Sequence, residues 1–467
     1  LFTHVTLKAC EMADDDEHDI FGSNINKTTP KNELDDNLVN ENQSSQISIS
    51  EESKPILDAK TPIIDSFSQK NDKNKDEEDL EKEGGDTFDI KIKISDPIKI
   101  GEGMSAYMAY NVTTQTSMSI FKNKEMCVKR RFSDFLGLHE RLNEKHLVLG
   151  RIVPPPPDKS VVGMVMVKSS KDDQSSTDFV ERRQHELEKY MNRLARHSQL
   201  IEDQDFKEFL EAEELPRAKN TSALSKGGLS RLAKGIGDAV SKITIKMVES
   251  DSWFEEKQNQ IDVLDQQLIK LHTAAEVLVN LRKEVCLNTS AFAKSCSLLS
   301  NCEEHTSLSR ALSQLAELEE KIEHVQQEQV LKDFYTLAET LKEYISLIGA
   351  VKAAFAQRTK VWSNWQSAQS TLTKKREALV KLELAGKSDK LGPAQDEVKE
   401  WEKRVEKGED DFNAISKTIK VEMTRFDKMR VKDFKDLIIT YLESLLNVQQ
   451  QFAQLWEGFA QEAKAIC

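Results

Sequence analysis

The C-terminal half of the chain is patterned for long helices and for little else. From Ser252 onward, apolar residues recur three and four apart in three successive segments, separated by breaks near SNCEEHT and AGKSDKLGP. The first carries Ile261, Leu264, Leu268, Leu271, Ala275 and Leu278. The second carries Phe334, Leu337, Leu341, Tyr344, Ile348, Val351 and Phe355, with Trp362, Trp365 and Leu372 continuing the register. The third carries Phe434, Ile438, Tyr441, Leu445, Val448, Phe452, Leu455 and Phe459. Such spacing places one apolar stripe on each helix, and stripes sustained over so many turns pack as coiled coils. Ser252 and Glu255 predict a capping box at the first helix start. Segments of about 50 to 80 residues, at about 1.5 Å per residue, make rods of about 75 to 120 Å. A three-helix coiled coil that long exposes a seam, which a second copy or a close relative closes about a two-fold axis. The expectation is an elongated dimer.

The chain has 467 residues, too many for one core, and its net charge of −14 is unevenly spread. Residues 1–86 hold 22 acids and 9 bases, net −13, leaving 58 acids and 57 bases, net −1, for the rest. A tail with so much charge and so few aromatics cannot bury enough apolar surface to offset its ordering entropy, and it is expected to be disordered. Met12 precedes the acidic run, which makes residues 1–11 a candidate upstream extension. The six cysteines form no CxxC pair or even framework, as expected in a reducing compartment. No stretch reaches the roughly 20 apolar residues of a bilayer span, so any membrane is met from outside.

Between tail and coiled coil the period changes. FDIKIKISDP alternates with period two, placing Ile90, Ile92 and Ile94 on one face, and AYMAYNVTTQTS and EMCVKRRF follow as further strands. Three strands in succession imply an antiparallel meander. SDFLGLHERLNEKH, with Phe135, Leu138 and Leu142 at helical spacing, and DFVERRQHELEKYMNRLARH then read as helices. Pro154–Pro157 lie between them and cannot continue either kind of element, so they form a polyproline ridge. The predicted fold is α+β, a three-stranded meander plus helices, followed by an all-α three-helix coiled coil.

Residues 217–248 carry seven bases against one acid, Asp238. On a helix, Leu229, Leu232, Ile236, Val240, Ile243 and Met247 fall on one arc and Arg231, Lys234, Lys242 and Lys246 on the other side, with Ile245 the exception. Four glycines weaken the helix, each by up to about 1 kcal/mol, so it should form when the apolar arc meets a surface. No nucleotide-binding, nucleophile-elbow or zinc-protease motif occurs, and the nine histidines form no metal-spaced cluster. The IGEGMSA turn lacks the third glycine and following helix of a dinucleotide loop and reads as a hairpin. Neither an enzyme nor a cofactor nor a nucleic-acid partner is expected.

Arg130, Arg131 and Phe132 would alone be a solvated strand end. Placed after a meander and before a helix, then followed by PPPPDK and RRQHELEKY, they resemble the headgroup pocket of phox-homology (PX) domains. The resemblance implies that Arg131 pairs with a 3-phosphate and that Phe132 stacks on the inositol ring. It also implies that Lys159 meets the 1-phosphate and Arg183 the ring hydroxyls, with Arg130 beside them. Guanidinium forks bind phosphate bidentately, and an aromatic face tolerates a sugar ring.

A PX domain at 87–216, a basic amphipathic segment at 217–250 and a three-helix coiled coil at 251–467 resemble the sorting nexins with BAR domains, almost without interruption over residues 87–467. That family implies an endosomal coat component that reads 3-phosphoinositides, forms tubules and exports transmembrane cargo toward the trans-Golgi network in association with retromer. Phosphatidylinositol 3-phosphate is the expected lipid, with phosphatidylinositol 3,5-bisphosphate as a second candidate, on the cytoplasmic face of early endosomes. The dimer partner is the same chain or another BAR-type nexin. Lys374, Lys375 and Arg376, with Lys381, Lys387 and Lys390 near the tip, are candidate contacts to anionic lipid, against the plainer reading of solvated helix charges. In the tail, Asp19, Ile20 and Phe21 end an acidic run, a pattern that docks a FERM domain in such nexins. The competing class is a coiled-coil vesicle tether or cytoskeletal adaptor that the PX module merely localises.

Overall fold

Alternation of β-branched and polar residues builds the N-terminal sheet. The computed structural model describes residues 88–101, 106–159, 174–215, 247, 249–386 and 388–464, all within one unit of the chain, Asp72–Cys467. β1 (Ile90–Ile100), β2 (Tyr107–Thr116) and β3 (Glu125–Arg131) form an antiparallel sheet in the order β1-β2-β3. The hairpin reading of the turn after Ile100 holds, since Ile100 pairs with Tyr107. β1 continues through Asp96 and Pro97, absorbing them in an irregularity between Ser95 and Ile98 where Asp96 takes a φ of 49°. Ile92 and Ile94 are fully buried, with Ile90 packed beside them.

Four helices close the core over the sheet. α1 (Phe132–His146) buries Phe135, Leu138 and Leu142, as its spacing predicts. α2 (Gln174–Ala195) lies along the open edge of β1. There Asn192 Oδ1 accepts from Ile92 N at 3.1 Å, and Glu188 Oε2 accepts from Ile94 N at 2.9 Å, so side chains satisfy an edge that would otherwise invite another strand. After the short α3 (Ser198–Ile201), α4 (Gln204–Glu211) sets Phe209 edge-on to Phe135 at 5.0 Å.

The rest is helical. α5 (Ser252–Cys302) begins one residue after its cap, which is Asp251 and not the predicted Ser252: Asp251 Oδ1 accepts from Trp253 N at 3.1 Å. α6 (Thr306–Lys332) leads through a π-helical turn, Asp333–Ala338, into α7 (Glu339–Leu384), and α8 (Ser388–Ala463) returns antiparallel along α7. The second break lies at residues 385–387, ahead of Pro393, which sits inside α8. Leu341, Tyr344, Ile348 and Val351 are fully buried in the coiled-coil core.

Two predicted core positions face outward. Along most of α5 every seventh residue is deeply buried, Phe254, Ile261, Leu268 and Ala275 and then, after a four-residue step, Val279, Cys286 and Ala293, with Cys296 and Ser300 following at steps of three and four. Leu271 is 49% exposed. On α8 the seam takes Leu437 and leaves Ile438 54% exposed.

The sheet domain is seated on the coiled coil. Ile152 belongs to the coiled-coil core, and Gly150, at φ +82°, lies so near α8 that a β-carbon there would stand 2.7 Å from Ile415 Cγ1.

Candidate functional site

The two arginines that end β3 have opposite fates because strand side chains alternate. Met126, Val128 and Arg130 share the inward face, and Arg130 is 2% exposed. Its Nε and Nη2 donate to the Phe209 carbonyl at 3.0 and 2.8 Å, Nη1 donates to Lys129 O and Glu213 O at 2.9 and 3.2 Å, and Nη2 also donates to Ala212 O. All five N–H groups therefore end on backbone carbonyls, three residues of them at the C-terminal end of α4, where a helix leaves acceptors unpaired. Arg130 is a helix cap, and its expected place among the headgroup ligands is corrected. Period-two parity from Met126 is the signal that separates it from its neighbour.

Arg131 points the other way and caps α1. Its backbone N and its Nε both donate to Asp134, at 3.0 and 2.9 Å, and its guanidinium lies 5.8 Å from the Tyr107 ring. That fixes one edge of the fork and leaves the two terminal nitrogens without a partner among the described residues. Phe132, the first residue of α1, is half-buried and lies under Arg183, whose Cζ is 4.2 Å from the ring centroid; Phe179 flanks Arg183 at 5.3 Å.

Arg183 is 5% exposed, and its Nη1 is buried with no hydrogen-bond partner, the nearest carboxylate being Glu186 Oε2 at 3.6 Å. Burial pushes its pKa down, while Glu186, Tyr110 and Asp158 oppose the shift. The same burial pushes the Tyr110 hydroxyl up to about 12. A buried cation with a bare donor is costly unless something polar occupies the space before it. Asp158 is close enough to oppose the shift of Arg183, so the end of the proline segment, with the half-buried Lys159, lies in its neighbourhood. The structure thus brings Arg183 onto the Phe132 ring, sets Arg131 one residue before that phenylalanine at the end of β3, and carries the segment bearing Lys159 near Arg183.

A PX domain profile matches residues 118–213, and a profile described as Vps5 C terminal like matches residues 229–462. Sorting nexin-2 of Bos taurus is 51% identical over 470 residues, covering 98% of this chain and 88% of the relative. Sorting nexin-2 of Homo sapiens is 55% identical over 390 residues, 83% of this chain and 75% of the relative. Sorting nexin-1 of Rattus norvegicus is 55% identical over 390 residues, 84% and 75%. This chain belongs to the sorting nexins with PX and BAR domains. Its modules bring phosphoinositide binding, membrane binding and dimerisation, and with them peripheral association with endosomal membranes. Among solved structures, the cryo-EM structure of the SNX-BAR Mvp1 tetramer aligns with 79% of this chain and 99% of that chain, at 18% identity and a TM-score of 0.43.

The BAR helices of this sorting nexin leave apolar side chains uncovered. Val277, Leu281, Leu287 and Phe292 on α5 and Leu442 and Leu446 on α8 are each at least half exposed. Of the basic tip residues, Lys375 Nζ pairs with Glu397 at 2.6 Å and Arg376 Nη2 with Glu402 at 2.7 Å, both across α7 and α8 at the surface. Lys374, Lys381 and Lys390 are exposed. Lys387, the amphipathic residues from Leu229 to Lys246, and Asp19, Ile20 and Phe21 lie outside the described residues; Met247 is described, half-buried and outside any helix. Among the described residues no helix is long and apolar enough to cross a membrane, and no cluster of ligands could hold a metal.

Proposed function

We propose that this sorting nexin captures the 3-phosphorylated headgroup of phosphatidylinositol 3-phosphate, bends the membrane it lands on and sorts transmembrane cargo from endosomes toward the Golgi with retromer, without catalysing a reaction. The observation that carries the reading is the buried Nη1 of Arg183, without a hydrogen-bond partner among the described residues, beside the Phe132 ring. In this reading Arg131 takes the 3-phosphate, Phe132 the ring face, Arg183 the hydroxyls and Lys159 the 1-phosphate. Phosphatidylinositol 3,5-bisphosphate is a second lipid to test.

The remaining contacts add grip. The amphipathic segment from Leu229 to Met247 wedges its apolar arc into the leaflet, while Arg231, Lys234, Lys242, Lys246 and the tip cations contribute roughly 1 kcal/mol each near an anionic surface. Linked in one dimer, each later contact forms at high effective concentration. The uncovered faces of α5 and α8 receive the same chain or another BAR nexin, and Asp19, Ile20 and Phe21 dock a FERM-containing nexin.

The test uses the full chain and vesicles with and without phosphatidylinositol 3-phosphate. Arg131→Ala should abolish lipid-specific sedimentation with the dimer intact, and Ile236→Glu with Val240→Glu should keep binding but lose tubules. Undiminished sedimentation of Arg131→Ala overturns the pocket. Vesicles clustered but undeformed by the unaltered chain would identify a tether instead.

A further inference from the structure

A face of α2 about a third of a turn from Arg183 is bound to the coiled coil. Arg182, Lys189 and Arg193 recur at offsets of seven and four, which gathers them on one narrow helical stripe, and Arg196 just beyond continues it. Arg182 Nη2 pairs with Glu339 at 2.5 Å, and its guanidinium lies 4.6 Å from the Phe334 ring. Lys189 Nζ donates to Tyr335 O and Thr340 Oγ1, both at 3.3 Å. Arg196 reaches Asp433 at 3.6 Å. These partners sit on the π-helical turn, on α7 and on α8.

Arg193 is the centre of this array. It is 8% exposed, its Nε pairs with Glu343 of α7, and its Nη2 pairs with Asp433 Oδ2 of α8 at 2.9 Å. Asp433 Oδ2 also accepts from Tyr344 OH at 2.7 Å, and the Tyr344 ring lies 5.3 Å from the arginine Cζ. One side chain therefore bridges both antiparallel helices. A second seat lies nearby: Glu422 of α8 accepts from Ile152 N and faces His197 Nε2, each at 3.1 Å, with Arg425 closing the other side.

Neighbouring residues of α2 face different partners. Arg183 lies on the Phe132 ring in the pocket, while Arg182, a third of a turn away, holds the coiled coil. Glu186 joins the two sides, 3.6 Å from Arg183 Nη1 and 3.6 Å from Lys342 Nζ. A tethered reading module would need no such buried, charge-matched seat. We propose that α2 is a rigid strut that fixes the angle between the headgroup pocket and the membrane-bending helices, with Arg193 and Glu422 as its positioning residues. A captured headgroup then presets how the coiled coil lies on the bilayer. The inference rests on the pocket proposed above.

The test compares the full chain with Arg193→Glu, with the charge exchange Arg193→Glu plus Glu343→Arg, and with Glu422→Gln. Calorimetric titration with inositol 1,3-bisphosphate reads the pocket alone, electron microscopy of vesicles containing phosphatidylserine and phosphatidylinositol 3-phosphate reads tubulation, and small-angle scattering reads the spread of the two modules. Headgroup affinity within twofold of the unaltered chain, at least tenfold fewer tubules and a larger radius of gyration are expected for Arg193→Glu and, more weakly, for Glu422→Gln. The charge exchange is expected to restore tubules. Normal tubulation by Arg193→Glu, or no rescue by the exchange, overturns the strut, as does loss of headgroup affinity in Arg193→Glu, which would make Arg193 part of the pocket's own fold. Arg131→Ala run alongside checks the pocket separately: if it keeps its headgroup affinity, the pocket reading fails whatever the strut variants do.

Discussion

Replacing Arg130 by Met separates a structural arginine from the adjacent one proposed to bind the headgroup. Met has similar length and is apolar, so the cavity cost is small and the loss falls on hydrogen bonding. The Phe209 carbonyl, held by two charged donors at 2.8 and 3.0 Å in a buried setting, is left bare. A buried acceptor without a partner costs about 1–3 kcal/mol, and hydrogen bonds to a charged donor contribute about 1.5–3 kcal/mol. The Lys129, Ala212 and Glu213 carbonyls are partly accessible and recover water. Stacking on Phe209, 5.3 Å from the guanidinium, adds a fraction. Against this stands the relief of burying a cation, whose desolvation already pushes the Arg130 pKa down. The balance is about 3 kcal/mol, which at 1.36 kcal/mol per tenfold is about a hundredfold change in an opening equilibrium. Hydrogen exchange should read it as a loss of protection of that size in β3 and α4, with α5 to α8 unchanged. Titration of Arg130→Met with inositol 1,3-bisphosphate under stabilising conditions should still show binding, whereas Arg131→Met should show normal exchange and no binding. The opposite pairing, with exchange unchanged and binding lost for Arg130→Met, would refute the assignment of Arg130 as a cap.

Two further substitutions test the fold around the site. His139 is buried with Nδ1 3.1 Å from Pro154 O, and burial pushes its pKa down from 6.5 to about 4. Between those values the unfolded chain binds the extra proton, so His139 should cost the fold about 3 kcal/mol as pH falls from 6.5 to 4 and nothing above; denaturant titrations of the unaltered chain and His139→Asn should converge toward pH 4 relative to pH 7, and a constant difference would show that His139 is not the titrating group. Gly150→Ala puts a β-carbon 2.7 Å from Ile415 Cγ1 at a positive φ, so it should loosen the sheet domain from α8 by about 1–3 kcal/mol. Hydrogen exchange confined to Ile415–Met423 and the α1–α2 connection is the check, and no change there would mean the seat adapts freely.

Period-two alternation in FDIKIKI and the three-and-four spacing of the C-terminal segments were enough to place the sheet, α1, α2 and the three long rods, because each pattern has one low-energy way to bury its apolar set. The cap of α5 was misread because Asp251 and Ser252 are both good caps, and adjacent capping residues differ only in backbone conformation. The π-helical turn left no periodic trace. Leu271 and Ile438 show the limit of heptads: a repeat fixes which residues are apolar together, but not whether a stripe faces its own chain or another. Their exposure, like that of Val277, Leu281 and Leu446, is what a dimerising coiled coil requires of one chain.

The places of the proposed pocket residues in the fold were legible for a different reason. Arg131, Phe132 and Arg183 sit at the end of β3, in the first turn of α1 and in the first half of α2, so sequence order already fixes the element each belongs to. The cations on the other side of α2 carry no such mark. Arg182, Lys189 and Arg193 read as an ordinary solvated stripe, since a basic helical face looks the same whether it meets water or Glu339, Glu343 and Asp433 about 150 to 240 residues away. Only the acids' own helices, packed side by side, turn scattered carboxylates into one groove. Removing two ions from water is unfavourable unless geometry and further hydrogen bonds compensate, and Arg193 meets that condition by touching α7, α8 and the Tyr344 ring together. A contact that demanding does not form by accident of tethering, and the helix that lays Arg183 on the Phe132 ring is by the same token fixed to the long C-terminal helices.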